Sequence, residues 1–423
     1  MARFKPQQFE VVIDKLVHGG QGIGTLESGK KALVWNVLPG ERVQFETRRS
    51  KSSFVEGIAQ NILESSPDRL QPQDDLYLST SPWQMMTYEA ENKYKLEILN
   101  ESLQRAGVSK IASDFKYPAG EWHYRNKMEY SFWGDEDGLH LALFNRGTHQ
   151  KQIVRGSSIA RPEIDETANK ICQILHEQNV RAGDLKSVVL RCSQKGEVVA
   201  AIFTRNEQLP RYEALKDVCK GVAVYFSNPK SPASVLTREL YTFGDITLVD
   251  EILGVPINYD VNSFFQVNLE AYHLALQEIK SAVAGMGVTD MYSGVGSIGL
   301  TVAEEPPRLI EVDQHSVAQA RLNAGEGAEV IHAASENATE YLPCNETEAV
   351  IFDPPRAGLH AKVTEATLAI LPKKLVYLSC NPSTFARDLQ LLEESYDIAS
   401  LTGFNFFPRT PHIEALSVLE LRP

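Results

Sequence analysis

From about residue 256 to the last residue, short β-preferring runs alternate with stretches of helical periodicity. That alternation admits one architecture, a parallel sheet with crossover helices on its faces. The spacing predicts helices over 268–284, 298–304 and 316–324, with strands at 288–292, 308–313 and 329–333 between them. A strand at 349–352, a helix over 362–371, a strand ending in Ser379 and a helix over 383–395 follow. Residues 398–407 and 413–421 read as a terminal antiparallel pair. In open sheets of this kind, ligands bind outside the carboxyl ends of the strands. The loops that follow each strand are therefore where chemistry belongs.

Five of those loops carry unusual residues. Asp290-Met291-Tyr292-Ser293-Gly294-Val295-Gly296-Ser297 is a glycine-rich turn from strand to helix. It lacks the third glycine of the dinucleotide fingerprint. The next strand ends in Glu311, where an acid can pair a ribose diol. Together these fit a nucleoside ligand without a pyrophosphate, such as S-adenosylmethionine, with NAD as the alternative. Strand 349–352 ends in Asp353-Pro354-Pro355-Arg356, two prolines stiffening the backbone just past a carboxylate. Ser379-Cys380-Asn381-Pro382 presents one thiol past a strand end. A thiol there can be a nucleophile, although the commonest fate of a free cysteine is burial as a small hydrophobe. Phe407-Pro408-Arg409-Thr410-Pro411-His412-Ile413-Glu414 places a His and a Glu behind a rigid turn. Each alone would be an ordinary satisfied or solvated side chain.

Upstream the pattern divides. Residues 1–62 read as a small all-β barrel of short, evenly spaced strands. Its basic hairpin tip, Arg48, Arg49 and Lys51 beside Phe54, is either a solvated loop or a contact for an RNA backbone. Residues 63–85 are polar and proline-bearing, a linker. Residues 86–118 centre on a helix over 87–106 that Gly107 stops. Residues 119–255 read as an α+β domain with helices at 164–177 and 211–219. Arg125 and Asn126 open its first strand, as structural residues or as RNA contacts. Residues 256–423 form the α/β domain.

Net charge is −13, and a field of that sign repels nucleic acid. Residues 1–60, however, carry nine Lys/Arg against six Asp/Glu, so any RNA contact is local. Five scattered cysteines with no C-x-x-C pair or zinc spacing imply a reducing, cytoplasmic setting and no cysteine-built metal site. No apolar run approaches membrane-spanning length, and the first residues lack a signal peptide's apolar core.

These motifs together resemble the RNA uracil-C5 methyltransferases that use S-adenosylmethionine. The matching pieces are Ser263-Phe264-Phe265-Gln266-Val267-Asn268, the 290–296 turn, Asp353-Pro-Pro-Arg-Ala-Gly358, Ser379-Cys-Asn-Pro382 with Phe385-Ala-Arg-Asp-Leu389, and Phe407 to Glu414. The first 62 residues resemble that family's TRAM domain, through the His18-Gly-Gly-x-Gly22 and Leu38-Pro-Gly-Glu41 turns. The resemblance implies a Rossmann-like methyltransferase domain joined to an OB-like barrel and a central α+β domain. It implies Cys380 as nucleophile and Glu414 as proton acceptor. Gln266, Tyr292, Gly294, Gly296, Ser297, Glu311 and Asp353 fall at its cofactor-contacting positions. The partner it implies is RNA, ribosomal first and transfer RNA second, with no membrane and no obligate protein partner.

The departures also carry expectations. Many relatives hold an iron–sulfur cluster on four cysteines. Here the corresponding stretches read Leu78-Ser-Thr-Ser-Pro-Trp-Gln84 and Ser157-Ser158, so no cluster is expected. Ala334 stands where relatives place a polar residue near the adenine, and Asn405 and Arg409 differ from common choices. Two rivals from other classes are a non-catalytic RNA-binding or chaperone protein and an amino-methyltransferase. The pairing of Cys380 with Glu414 speaks against the first, and Arg356 after Pro355 against the second.

Overall fold

The structure, a computed structural model, describes residues 6–231 and 234–423. Strands β1 (Gln8–Leu16), β2 (Gly22–Thr25), β3 (Lys31–Trp35), β4 (Arg42–Ser50) and β5 (Phe54–Glu64) close into a barrel in the order β1-β2-β3-β5-β4. Period-2 alternation builds it, with Val11, Ile13, Val43, Phe45 and Val55 filling the interior.

The stretch 63–85 is more than a linker. Trp83 and Met85 are buried in the main core, and Arg69 reaches back 2.6 Å to the buried Glu41 of the barrel. Helix α1 (Tyr77–Thr80) is a single turn. Beside it lies a polar knot. The Gln84 side-chain amide donates to Asp74 (3.0 Å), Ser81 (2.7 Å) and Ser158 (3.1 Å). Asp74 also accepts from the Ser157 hydroxyl (3.2 Å) and the Ser158 N–H (3.1 Å). These are the stretches where the resemblance leads one to look for cluster cysteines.

Helix α2 (Tyr88–Ala106) starts at Thr87, whose side chain accepts from the Ala90 N–H, and stops at left-handed Gly107. Strand β6 (Asp114–Lys116) follows and joins the edge of the main sheet, so 86–118 contributes a strand as well as a helix. The central domain comprises β7 (Lys127–Asp135), β8 (Gly138–Phe144), β9 (Lys151–Ile153), α3 (Pro162–Glu177), β10 (Leu185–Cys192), β11 (Val198–Thr204), β12 (Gly221–Phe226) and β13 (Arg238–Gly244). Its sheet runs β13-β12-β11-β10-β7-β8-β9. The helix expected over 211–219 is only a 3-10 turn, Glu213–Leu215.

Strands β14 (Thr247–Ile252) and β15 (Val255–Asp260) form a hairpin. A domain boundary at 255/256 cuts it in half and is corrected here. Its two-residue turn, Leu253-Gly254, has both φ angles positive, 49° and 87°. The hairpin packs Leu248, Ile257 and Tyr259 into the same core as the following domain's Leu276 and Val288.

That domain holds α4 (Leu269–Ala282), β16 (Gly287–Asp290), α5 (Gly299–Val302), β17 (Arg308–Glu311), α6 (Gln314–Ala324), β18 (Glu329–His332) and β19 (Glu348–Phe352). It continues with α7 (Ala361–Ile370), β20 (Lys374–Ser379), α8 (Pro382–Leu392), β21 (Tyr396–Phe404) and β22 (Glu414–Leu421). The eight-stranded sheet is ordered β18-β17-β16-β19-β20-β22-β21-β6. The five strands from β18 to β20 are parallel, and β22 is antiparallel to both neighbours. The helix expected over 298–304 shrinks to α5 because Ala303 is already extended ahead of Pro306-Pro307. Between β16 and β19 the strand order reverses, which opens a crevice at their carboxyl ends. Among the described residues no helix is long and apolar enough to cross a membrane.

Candidate active site

A cavity of about 700 Å³ occupies that crevice. One half of it is made by the turn after β16 and the end of β17. Asp290 is buried, and its carboxylate accepts the Gly299 N–H at 3.0 Å, which ties strand to helix α5. Burial, with a smaller push from Glu311, raises the Asp290 carboxyl to about 7. Glu311 accepts from the N–H groups of Gly294 (2.9 Å), Val312 (2.7 Å) and Asp313 (2.7 Å). An ionised carboxylate has roughly four acceptor sites, so capacity remains for a ligand hydroxyl. The backbone of Gly294 therefore approaches the acid directly, and its φ of +54° suits glycine.

The second half of the cavity is set by sheet register. Strand β20 pairs antiparallel with β22, Leu378 with Leu416 and Ser379 with Ala415. The next step in that register sets Cys380 opposite Glu414, on the same face of the sheet. Strand β19 runs parallel beside β20, Phe352 against Tyr377, so Asp353 emerges at the same edge. All three line the cavity together with Gln266 and Arg356. No hydrogen-bond partner within the described residues engages the side chains of Asp353, Glu414 or Gln266, which leaves them to a ligand.

Electrostatics couple the three. Burial, then the neighbouring Asp290, pushes Asp353 up to about 7. Burial and Asp353 push Glu414 well above the usual carboxyl range, with Arg356 opposing. Burial, then Glu414 and Asp353, pushes the Cys380 thiol up to about 12, again with Arg356 opposing. Burial thus opposes charge on all three, and a cationic ligand shifts them toward ionisation.

The loops are held firmly. Asn381 caps α8 by accepting the Ser383 N–H (3.1 Å), and its amide donates to the Arg356 carbonyl (2.9 Å). Pro382 opens the helix. Asp388 accepts from the Leu359 N–H (2.8 Å) and the Tyr377 hydroxyl (2.7 Å). Gly358 (φ +80°) has no room for a side chain, since a Cβ would lie 2.4 Å from the Asp388 carboxylate. The 405–413 loop is anchored by helix α2. Fully buried Lys95 pairs with Glu91 at 2.8 Å and donates to the Asn405 side chain (2.6 Å) and the Phe407 carbonyl (3.1 Å). Glu91 in turn accepts the Arg409 N–H at 2.9 Å. The barrel supplies the last support, because a Cβ on Gly20 would sit 2.7 Å from Pro411.

The residues named from sequence fall into three groups. Cys380, Glu414, Gln266, Tyr292, Gly294, Ser297, Glu311 and Asp353 line one cavity. Gly296 lies just behind it, and the Ser297 hydroxyl is shared with Tyr272 at 2.9 Å. Arg48, Arg49 and Lys51 are exposed on the barrel, with Arg48 near Glu46 (3.5 Å) and Arg49 near Glu56 (3.6 Å). Arg125 is half-buried. Asn126 is buried, and its amide donates to the Gln266 carbonyl at 3.0 Å, so it braces the cavity wall. Asn405 and Arg409 are likewise interior braces, and Ala334 lies outside the cavity lining. Asp290, Tyr272 and the Glu91–Lys95 pair went unread as site residues; only the Asp290 position at a strand end offered a local signal.

A Rossmann-like sheet with a crevice at the carboxyl ends of its strands has the architecture of a methyltransferase domain, here carried with a barrel and a central α+β domain. The chain belongs to the tRNA (uracil-5-)-methyltransferase family, whose model matches residues 87–221 and 259–422. It is an RNA methyltransferase. RNA methyltransferases of Lactobacillus johnsonii and Enterococcus faecalis are 30% and 29% identical to it, each over 98% of this chain. They are covered over 99% and 97% of their own lengths. The crystal structure of Pyrococcus abyssi tRNA (uracil-54, C5)-methyltransferase in complex with S-adenosyl-L-homocysteine superimposes with a TM-score of 0.80 at 24% identity. It covers 97% of this chain and all of that one, so the whole domain arrangement is shared.

Proposed function

We propose that this chain methylates C5 of one uridine in a structured RNA through a covalent bond between Cys380 and uracil C6. The observation that carries this reading is the register that sets Cys380 opposite Glu414 at the edge of the nucleoside crevice. The cofactor is S-adenosylmethionine, which supplies an electrophilic methyl group when bound. The residues fit it: Glu311 has acceptor capacity for a ribose, and Asp353 and Gln266 have no other partner. Gln266, Tyr292, Gly294, Gly296, Ser297, Glu311 and Asp353 would hold it.

Uracil C5 is too weak a nucleophile to take a methyl group unaided. Addition of the Cys380 thiolate forms an S–C6 bond, and the C5=C6 electron pair moves to C5 and O4. Once C5 carries the methyl, Glu414 removes the C5 proton. The electrons of that C–H bond restore C5=C6, and the S–C6 pair returns to sulfur. The uracil has to leave its stack to reach the thiol, so the target is a looped or flipped base. Arg48, Arg49, Lys51 and Arg125 would meet the surrounding backbone. The reading includes a cytoplasmic setting and action without an obligate protein partner.

The target we put first is a uridine of 23S ribosomal RNA, because the family members that this barrel resembles act largely there. A transfer-RNA uridine is the second reading. One observation favours it: the Pyrococcus abyssi enzyme, aligned with its barrel included, acts on uracil-54 of tRNA. Two experiments test the proposal. RNA carrying 5-fluorouridine should trap an adduct on Cys380, and Cys380→Ala should abolish both adduct and methylation. Mapping of 5-methyluridine in ribosomal and transfer RNA from cells lacking this protein should show one lost site. Methylation by Cys380→Ala, or an unchanged map in both RNAs, sinks the reading.

A further inference from the structure

One face of the central sheet carries α3. The opposite face packs its β10–β12 half against the following domain, through Val189, Phe203 and Tyr225. The same face continues outward across β7, β8 and β9, and there it is open. Register places Trp133, Phe144 and Ile153 on it, and they are 45%, 48% and 44% exposed. Lys151 shares that face, its ammonium 5.0 Å from the Phe144 ring centroid.

The charge of this region opposes that of the chain. Net charge is −13, yet residues 139–162 contain no Asp or Glu, four Lys/Arg and two His. The β8–β9 part of the face is acid-free and bears the Phe144 ring and Lys151, a surface complementary to a nucleic-acid strand, whose bases stack and whose phosphates seek cations; Glu129 and Asp135 share the face only on β7, at its Trp133 edge. The strip is also continuous with the rest of the machinery. At one end Arg146 lies over the Trp35 ring of the barrel at 4.0 Å. At the other, Arg161 N–H donates to the Arg125 carbonyl, and the adjoining Tyr124 hydroxyl donates to the Pro408 carbonyl of the catalytic loop at 2.9 Å.

We infer that the open face of β7–β9 docks the RNA substrate away from the target uridine. Unstacked bases lie on Phe144 and Trp133, and phosphates lie along Lys151 and the exposed Arg155. Trp133 pairs with His140, four residues from Phe144 on β8, so the two rings are about 13 Å apart along the strand and take different bases. This rests on the reading of the chain as an RNA-methylating enzyme, and it assigns part of its substrate affinity to the central domain.

The test uses the full chain and total RNA from cells lacking it. Trp133→Ala changes an exposed position, and a Phe144→Ala/Lys151→Gln double variant changes the exposed Phe144 and the half-buried Lys151, whose ammonium also donates to the Phe132 carbonyl at 2.9 Å. Each should raise the half-saturating RNA concentration about tenfold, with kcat and cofactor affinity unchanged. The double variant should also lose part of its salt dependence. Ultraviolet cross-linking of the wild type should place RNA on peptides spanning 133–155. Unchanged half-saturation together with no cross-link overturns the inference. So does a change in solution mass with Trp133→Ala, which would make a second copy the occupant. If the wild type transfers no methyl to that RNA, the methylation reading fails while the cross-links still decide the docking surface.

Discussion

Cys380 sits among groups that resist its ionisation, and the resistance is organised. Burial opposes a thiolate at Cys380, Glu414 and Asp353 add to that cost when they are ionised, and burial raises both of those acids in turn. A cationic ligand in the crevice acts on all three in the same sense, toward charge. The cofactor-free protein should show this in its stability. Asp353 in the unfolded chain titrates in the ordinary carboxyl range, near 3.8, and in the folded chain near 7. Between those values the folded state holds a proton that the unfolded state has lost. Its stabilising contribution is therefore complete below the lower value and is lost as pH rises through the upper one. Asp353→Asn removes that dependence. Calorimetric Tm of the variant minus that of wild type should rise between about pH 4 and 7, and a flat difference contradicts the folded-state environment described for this carboxyl.

At the scale of elements, the 405–413 loop shows why some of the site was legible and some was not. The strand–helix alternation and the barrel's alternation are local patterns, so both folds could be read from short windows. The positions of Cys380, Asp353 and Glu311 followed, because a strand end is also a local feature. Glu91 and Lys95 are an i,i+4 pair of charges on α2, a pattern that ordinarily marks a solvated helix face, yet both are fully buried. Their partners, Asn405 and Arg409, lie more than 300 residues away, where no window reaches. The hairpin at 247–260 was split for a related reason. Its turn carries Leu253 where an Asn or Gly would have announced a two-residue connection. The buried pair makes a test of the loop's role. Lys95→Met leaves Glu91 buried without its cation, at a cost of about 3–5 kcal/mol. Tm should fall accordingly. In the fraction that remains folded, methyl transfer should drop while cofactor affinity holds, because Glu311 is hydrogen-bonded to the 290–297 turn and to its own strand end, and not to α2. Equal loss of both would show that α2 supports the whole domain and not this loop.

Over the whole molecule, every domain contributes a wall or a brace to one cavity. The barrel's Gly20 seats against Pro411, the 63–85 stretch fits Trp83 beneath it with its indole N–H on the Gly20 carbonyl (3.2 Å), and the central domain holds Gln266 through Asn126. Such an assembly needs a fixed junction between the linker, α2 and the central domain. The knot of Asp74, Ser81, Gln84, Ser157 and Ser158 supplies it with hydrogen bonds alone. Asp74 is its hub, accepting from Gln84, Ser157 and Ser158 at once. Truncating it leaves those donors without their acceptor in a part-buried site, at a cost of about 1–3 kcal/mol. Asp74→Ala should lower Tm and expose the 63–85 stretch to limited proteolysis, cleaving the barrel from the rest. It should also weaken RNA methylation more than it weakens alkylation of Cys380, since no residue of the knot lines the cavity that holds the thiol. An unchanged cleavage pattern would mean that the Arg69–Glu41 bridge and the burial of Trp83 hold the junction without the knot.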